Sequence, residues 1–225
     1  MNSKSGPEEP TAPRAASEAF FRNLSLNLHA AAQPLCILRG TLGNPYLVST
    51  GETQLRELVQ NAAAEVERVC TLFGYLQEFV ITESTEPTLL ATPARSLIGE
   101  AVEGVELLFQ ESEISLRSSV PEGCGPILIS RKWALAALSS VLLIAHAVSH
   151  RGDTVDLVVT SERPNSVQAM LLNRDAHVKD LKTDANLRMA LAEANLARQR
   201  ALMSWILEPF TVFIEFPGAS AEKDT

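Results

Sequence analysis

The sequence predicts an α+β protein, an N-terminal antiparallel helical hairpin followed by a two-layer domain of helices and strands. Three observations carry this expectation. Apolar residues recur at alternating spacings of three and four along two stretches near the N-terminus, the pattern of helices packed seam to seam. A polar segment holding Pro87 and Pro93 then interrupts the chain. Beyond it, helical patterns mix with short β-prone runs, as in a layer of helices on a sheet.

Residues 1–16, rich in Pro, Ser and Glu, read as a disordered lead. The hairpin is expected over 17–82. Its first seam is Phe21, Leu24, Leu28, Ala31, Leu35, Leu38 and Leu42, with Pro34 inside it where a bend is expected. Turn formers from Gly43 to Gly51 lead into a second helix, from about Glu52 to Ile81. Its seam is Ala62, Val66, Val69, Phe73, Leu76 and Val80. Leu26, Ile37, Leu55, Leu58 and Val59 flank the seams, more apolar surface than one hairpin can cover. Two copies forming a four-helix bundle solve that problem, so a homodimer is expected.

Residues 83–93 read as a linker, 94–217 as the second domain and 218–225 as a tail. Within that domain the pattern gives a helix over Ala94–Glu111 and strands over Ile114–Val120 and Ile127–Ile129. An apolar helix follows over Arg131–Val148, then strands over Val155–Thr160 and Ser166–Leu172. A long helix over Asp184–Trp205 and a strand over Phe210–Phe216 complete it. The strands are expected to pair antiparallel.

Composition narrows the function. Nineteen basic residues against 27 acidic ones give a formal charge of −8, which disfavours nucleic acid as a partner. Cys36, Cys70 and Cys124 are scattered and odd in number, so neither a disulfide framework nor a zinc site is indicated. A reducing cytoplasm fits these thiols. The apolar run from Trp133 to Val148 is broken by Ser139, Ser140 and His146, so it is read as a core helix and no membrane association is expected. His146 and His150 stand four apart, a spacing that can hold zinc, but no third ligand accompanies them. No nucleophile elbow of the GxSxG kind is present.

The first helix contains His29-Ala-Ala-Ala-Gln33-Pro34-Leu35. This resembles the H-box of bacterial sensor histidine kinases, in which the phosphorylated histidine precedes a proline and a leucine. The second domain is similar to the kinase ATPase domain. Ser96–Val102 resembles its opening helix, Ile114–Val120 its first strand, Trp133–His150 its N-box helix, and Gly152-Asp-Thr-Val155 the start of its next strand. The resemblance spans roughly residues 18–217.

The departures matter as much. Where the family places an Asn-Ala pair that holds magnesium, this chain has His146-Ala147, with Leu142 one turn earlier. The family's Asp-x-Gly-x-Gly loop, whose carboxylate reads adenine, corresponds to Leu171-Leu-Asn-Arg-Asp-Ala-His177. No glycine lies between Gly152 and Gly218, and phosphate-binding loops need glycine to close backbone N–H groups on the anion. Ala30 replaces the acidic residue that usually follows the histidine as a base.

The resemblance therefore implies a degenerate ATPase-like domain, with no cofactor and no metal, and His29 as a phosphate carrier. A neutral imidazole nitrogen is nucleophilic near neutral pH, which suits that role. Gln33, Cys36, Arg39 and Gly40 follow on the same helix, on the face that meets a response-regulator receiver domain in the family. The expected function is histidine phosphotransfer in a phosphorelay, similar to that of the ChpT-type dimeric phosphotransferases. The alternative is a non-catalytic pseudokinase-like protein that binds a regulator or kinase. An active histidine kinase ranks third.

Overall fold

A computed structural model describes residues 28, 32–40, 52–161, 165–176 and 178–219. The chain divides into two compact units, Met1–Gln77 and Glu78–Thr225.

In the first unit, residues 32–40 are helical (α1), as is Leu28. Pro34 lies inside α1 and is buried. Helix α2 spans Glu52–Ser84, and its last residues belong to the second unit. The apolar seam expected on α2 divides into two lines. Leu58, Ala62, Glu65, Val69, Leu72 and Leu76 are partly or fully covered, at alternating spacings of four and three. One position further round, Val59, Ala63, Val66, Cys70 and Phe73 are exposed at the same spacings, with Val80 one more heptad along. Val66 and Phe73 each leave about half their surface bare, at 49% and 50%. Such a line is a heptad seam with nothing on it among the described residues.

The second unit is a layer of three helices on a five-stranded sheet. Strand β1 (Leu90–Pro93) and helix α3 (Ala94–Glu111) come first, then β2 (Ser115–Ser119), β3 (Pro126–Ile129) and helix α4 (Arg131–Val148). Strands β4 (Thr154–Thr160) and β5 (Ser166–Asn173) precede helix α5 (Thr183–Ala197), β6 (Leu202–Leu207) and β7 (Phe210–Pro217). The large sheet has the order β2-β4-β5-β7-β6, and β1 pairs with β3 in a separate ribbon.

Two details differ from the antiparallel expectation and from the expected linker. β2 and β4 run parallel, Leu116 opposite Val155. Their connection contains α4, the kind of crossover that a parallel pair requires. Leu90–Pro93, read as linker, forms β1, whose Pro93 sits opposite Pro126 at the end of the ribbon. Proline is tolerated there because a ladder's end need not supply a donor.

A third difference is the expected helix Asp184–Trp205. It stops at Ala197, and Leu202–Leu207 is a strand. The stop is a Schellman turn. Arg200 takes φ 60°, Ala201 N–H reaches Leu196 C=O at 3.1 Å, and Arg200 N–H reaches Ala197 C=O at 3.0 Å. Glycine usually holds the left-handed position, so an arginine there conceals the helix end in the sequence.

Helix α4 packs against both α3 and α5. It buries Ala134, Ala137, Leu138, Val141, Leu142, Ile144 and Ala145. By length and composition alone α4 could cross a membrane. Its place in the core accounts equally for its apolar character. From α3 come Leu97, Ile98, Ala101, Val105 and Phe109, at helical spacing, and from the sheet Val155, Leu157, Val159, Val167, Ala169 and Leu171. Each fully buried Leu, Ile, Val or Phe among them stabilises the fold by about 1.5–3 kcal/mol. Gly152, at φ 92°, makes the left-handed turn into β4 and donates its N–H to Glu113 C=O at 2.9 Å.

A buried polar chain ties three elements of this unit together. Thr82 Oγ1, on the last turn of α2, donates to Asn195 Oδ1 at 2.8 Å. Gln199 Nε2 donates to Asn195 C=O, and Gln199 Oε1 accepts the Ser130 N–H at the start of α4, both at 2.7 Å. Thr82, Asn195 and Gln199 are all buried, so each group needs the partner it has.

Candidate functional site

In the first unit, His29 lies outside the described residues. Gln33, Cys36, Arg39 and Gly40 are all exposed on α1. Gln33, Cys36 and Gly40 are three and four apart, which sets them in a line along one helix face, with Arg39 beside them. A Cβ built on Gly40 would meet nothing within 4 Å. Its lack of a side chain therefore answers no packing need among the described residues.

In the second unit, the residues around the end of β5, expected from the resemblance to correspond to the family's adenine-reading loop, bond to one another. Asn173 ends β5 and is fully buried. Its Nδ2 donates to Ser149 Oγ at 2.7 Å and to Asp153 Oδ2 at 3.2 Å. Its Oδ1 accepts the N–H groups of Asp175 and Ala176 at 3.0 and 3.1 Å. An amide offers two donors and two acceptor sites, and all four are occupied. Ser149 Oγ donates a hydrogen bond to Ala145 C=O at 2.6 Å, and Asp153 Oδ2 also accepts the His150 N–H. The end of β5 is thus a closed knot that fastens the turn after α4 to the loop after β5.

His146 turns toward α3. Its Nε2 lies 2.8 Å from Ser112 Oγ, and its ring meets that of Phe109 edge-on at 5.2 Å. The α4 residues that line the cleft toward α5 are Leu143, Ile144 and Ala147, none of which carries a metal-ligating atom. His150 stands beyond the end of α4 and is largely exposed, 4.0 Å from Asp153 Oδ2. The four-residue spacing of the two histidines therefore does not put them on one helix. Among the described residues no group of three or more His, Cys, Asp or Glu side chains could hold a metal ion.

Sequence reasoning fixed on missing glycines and passed over Asn173 itself. The signal available was Asn173 standing two and three residues before Asp175 and Ala176 at a strand end, where an Asn side chain caps backbone N–H groups.

Comparison with known proteins places this arrangement. Histidine kinase AdeS of Acinetobacter baumannii superposes with a TM-score of 0.60 at 12% identity, over 86% of this chain and 98% of that one. A histidine kinase from Burkholderia phymatum gives 0.52 at 15%, over 93% and 98%. Full-length ShkA, solved with AMPPNP, gives 0.58 at 14%, over 94% of this chain and 47% of ShkA. No family model matches the sequence, and no curated protein matches it. The chain has the histidine kinase fold, a mixed α/β ATPase-like domain of the kind in kinase catalytic segments. At these identities the likeness is one of fold.

Proposed function

We propose that this protein is a cytoplasmic histidine phosphotransferase of a two-component phosphorelay, working as a homodimer without ATP. His29 takes a phosphoryl group from a receiver-domain aspartyl phosphate. The His29 imidazole nitrogen attacks phosphorus, the aspartate carboxylate leaves, and a second receiver aspartate later reverses the exchange. The receiver supplies the magnesium. Gln33, Cys36, Arg39 and Gly40 form the docking face, where Gly40 admits a close approach of the partner and Arg39 offers a cation to the phosphoryl oxygens.

The observation that carries the ATP-independent part is Asn173. Within the stretch Leu171–His177, which resembles the family's adenine-reading loop, Asn173 is a buried amide whose donors and acceptors are all engaged inside the fold. The absence of loop glycines points the same way. The fold supports two-component signalling as the setting, and the bare α2 seam supports a second copy as the partner in the bundle.

The test is incubation with phosphorylated receiver domains from the same genome. Label is expected on wild type, and His29→Gln should abolish it while receiver binding and dimerisation persist. Gly40→Trp should weaken receiver binding itself. Transfer by His29→Gln at the wild-type rate would refute the assignment. Ala30 favours a second reading, because it removes the acid usual beside the histidine. In that reading the protein binds a receiver or kinase without accepting phosphate. Binding of a receiver with no label on wild type would establish it.

A further inference from the structure

We propose that strand β6 is a docking edge for a second copy of this chain. The two β6 strands pair antiparallel about Ser204, so that two five-stranded sheets become one. The inference stands on the second unit alone, apart from the proposed phosphotransfer and from the α2 seam.

The sheet has two edges, β2 and β6. Edge strands present unpaired N–H and C=O groups, and proteins ordinarily blunt them with charge, proline or a bulge. β2, Ser115-Leu-Arg-Ser-Ser119, is polar and has Arg117 at its centre. β6, Leu202-Met-Ser-Trp-Ile-Leu207, has no charge and no proline, and it follows β7 without a break in register. Its solvent side is apolar as well, with Leu202 68% and Ile206 50% exposed.

The backbone sets the limits of the free stretch. Ala201 N–H donates to Leu196 C=O at 3.1 Å, and Leu207 C=O accepts Val178 N–H at 3.4 Å. Between them, Leu202 to Ile206 have no backbone bond outside the β6–β7 ladder among the described residues. Alternate residues of an antiparallel ladder face the same way, and Leu207 bonds outside it. Met203 and Trp205 therefore turn their N–H and C=O groups to the open edge. The midpoint of the stretch is Ser204.

That midpoint makes the edge self-complementary. Antiparallel pairing centred on Ser204 sets Met203 opposite Trp205 of the second copy, where the free groups bond to one another, and Leu202 opposite Ile206. Just beyond, Arg200 comes opposite Glu208 at both ends. Both residues are exposed, and neither has an ion-pair partner among the described residues. Opposite charges thus meet twice in a chain that carries −8 overall. The match selects a copy of this chain in this orientation, since parallel pairing would set Arg200 against Arg200.

So short a strand pair makes a small interface, below the roughly 1,200 Å² of stable complexes, and its association is weak. Sedimentation velocity on the full chain, from micromolar to submillimolar concentration, tests it. The average mass is expected to rise toward twice its micromolar value or beyond. Ser204→Lys should hold the mass at the micromolar value, because two ammonium groups then meet at the most closely spaced kind of ladder pair. Ser204 is exposed, so that variant should keep the wild-type circular dichroism. Arg200→Glu and Glu208→Arg should each weaken association several-fold, and the two together should restore it. A mass that stays constant up to submillimolar concentration overturns the proposal and leaves the edge to a strand of another protein. Association that survives Ser204→Lys overturns it as well, as does a double variant that associates no better than the single ones.

Discussion

Asn173 illustrates how one side chain can close a site. Its amide makes four hydrogen bonds with no solvent access, and removing it strands two backbone N–H groups along with Ser149 and Asp153. Asn173→Ala should therefore cost about 2–4 kcal/mol, from several partners left unsatisfied in the interior. Urea denaturation measures it, and a loss below about 0.5 kcal/mol, the range of an ordinary surface change, would mean the knot contributes nothing. Cys124 gives a second forecast at this scale. Burial raises its thiol above the ordinary range, partly offset by the nearby Arg95 cation. Cys36 and Cys70 are exposed, whereas Cys124 is half-buried. Because the thiolate is the reacting form, at mildly alkaline pH maleimide should label Cys36 before Cys124. Mass spectrometry of a time course checks the order.

Arg200 decides where α5 ends and β6 begins. A non-glycine residue at φ 60° carries strain that glycine does not. Arg200→Gly should stabilise the protein by about 0.5–1 kcal/mol, with a corresponding rise in Tm. A fall would mean that the arginine side chain stabilises the turn by more than its strain costs. The two faces of α2 argue similarly from position. One heptad line is covered within the chain, while its neighbour, Val59, Ala63, Val66, Cys70 and Phe73, lies open. The bare line includes three large apolar side chains, which a lone soluble helix does not ordinarily present in register.

At the scale of the whole molecule, the proposed homodimer would cover that bare line. Val66→Asp combined with Phe73→Asp should turn a dimer into a monomer in light scattering at micromolar concentration, with the second unit still folded. Burying two unpaired carboxylates in each line outweighs the apolar contacts they replace. A wild-type monomer under those conditions would remove the dimer from the proposed function. The sequence by itself determined the helical stretches of the second unit's core, the positions of most strands along the chain and the apolar character of α2, because periodicity records which faces are apolar. It also exposed the missing glycines. It did not determine the parallel pairing of β2 with β4, nor β1 within the expected linker, since strand partners are chosen by long-range contacts that leave no local mark. The end of α5 was hidden because an arginine occupies a position that glycine normally announces. Only the tertiary structure turned His146 toward Ser112 and closed the hydrogen bonds of Asn173. A side chain's orientation and the saturation of its polar atoms depend on neighbours brought together from distant parts of the chain.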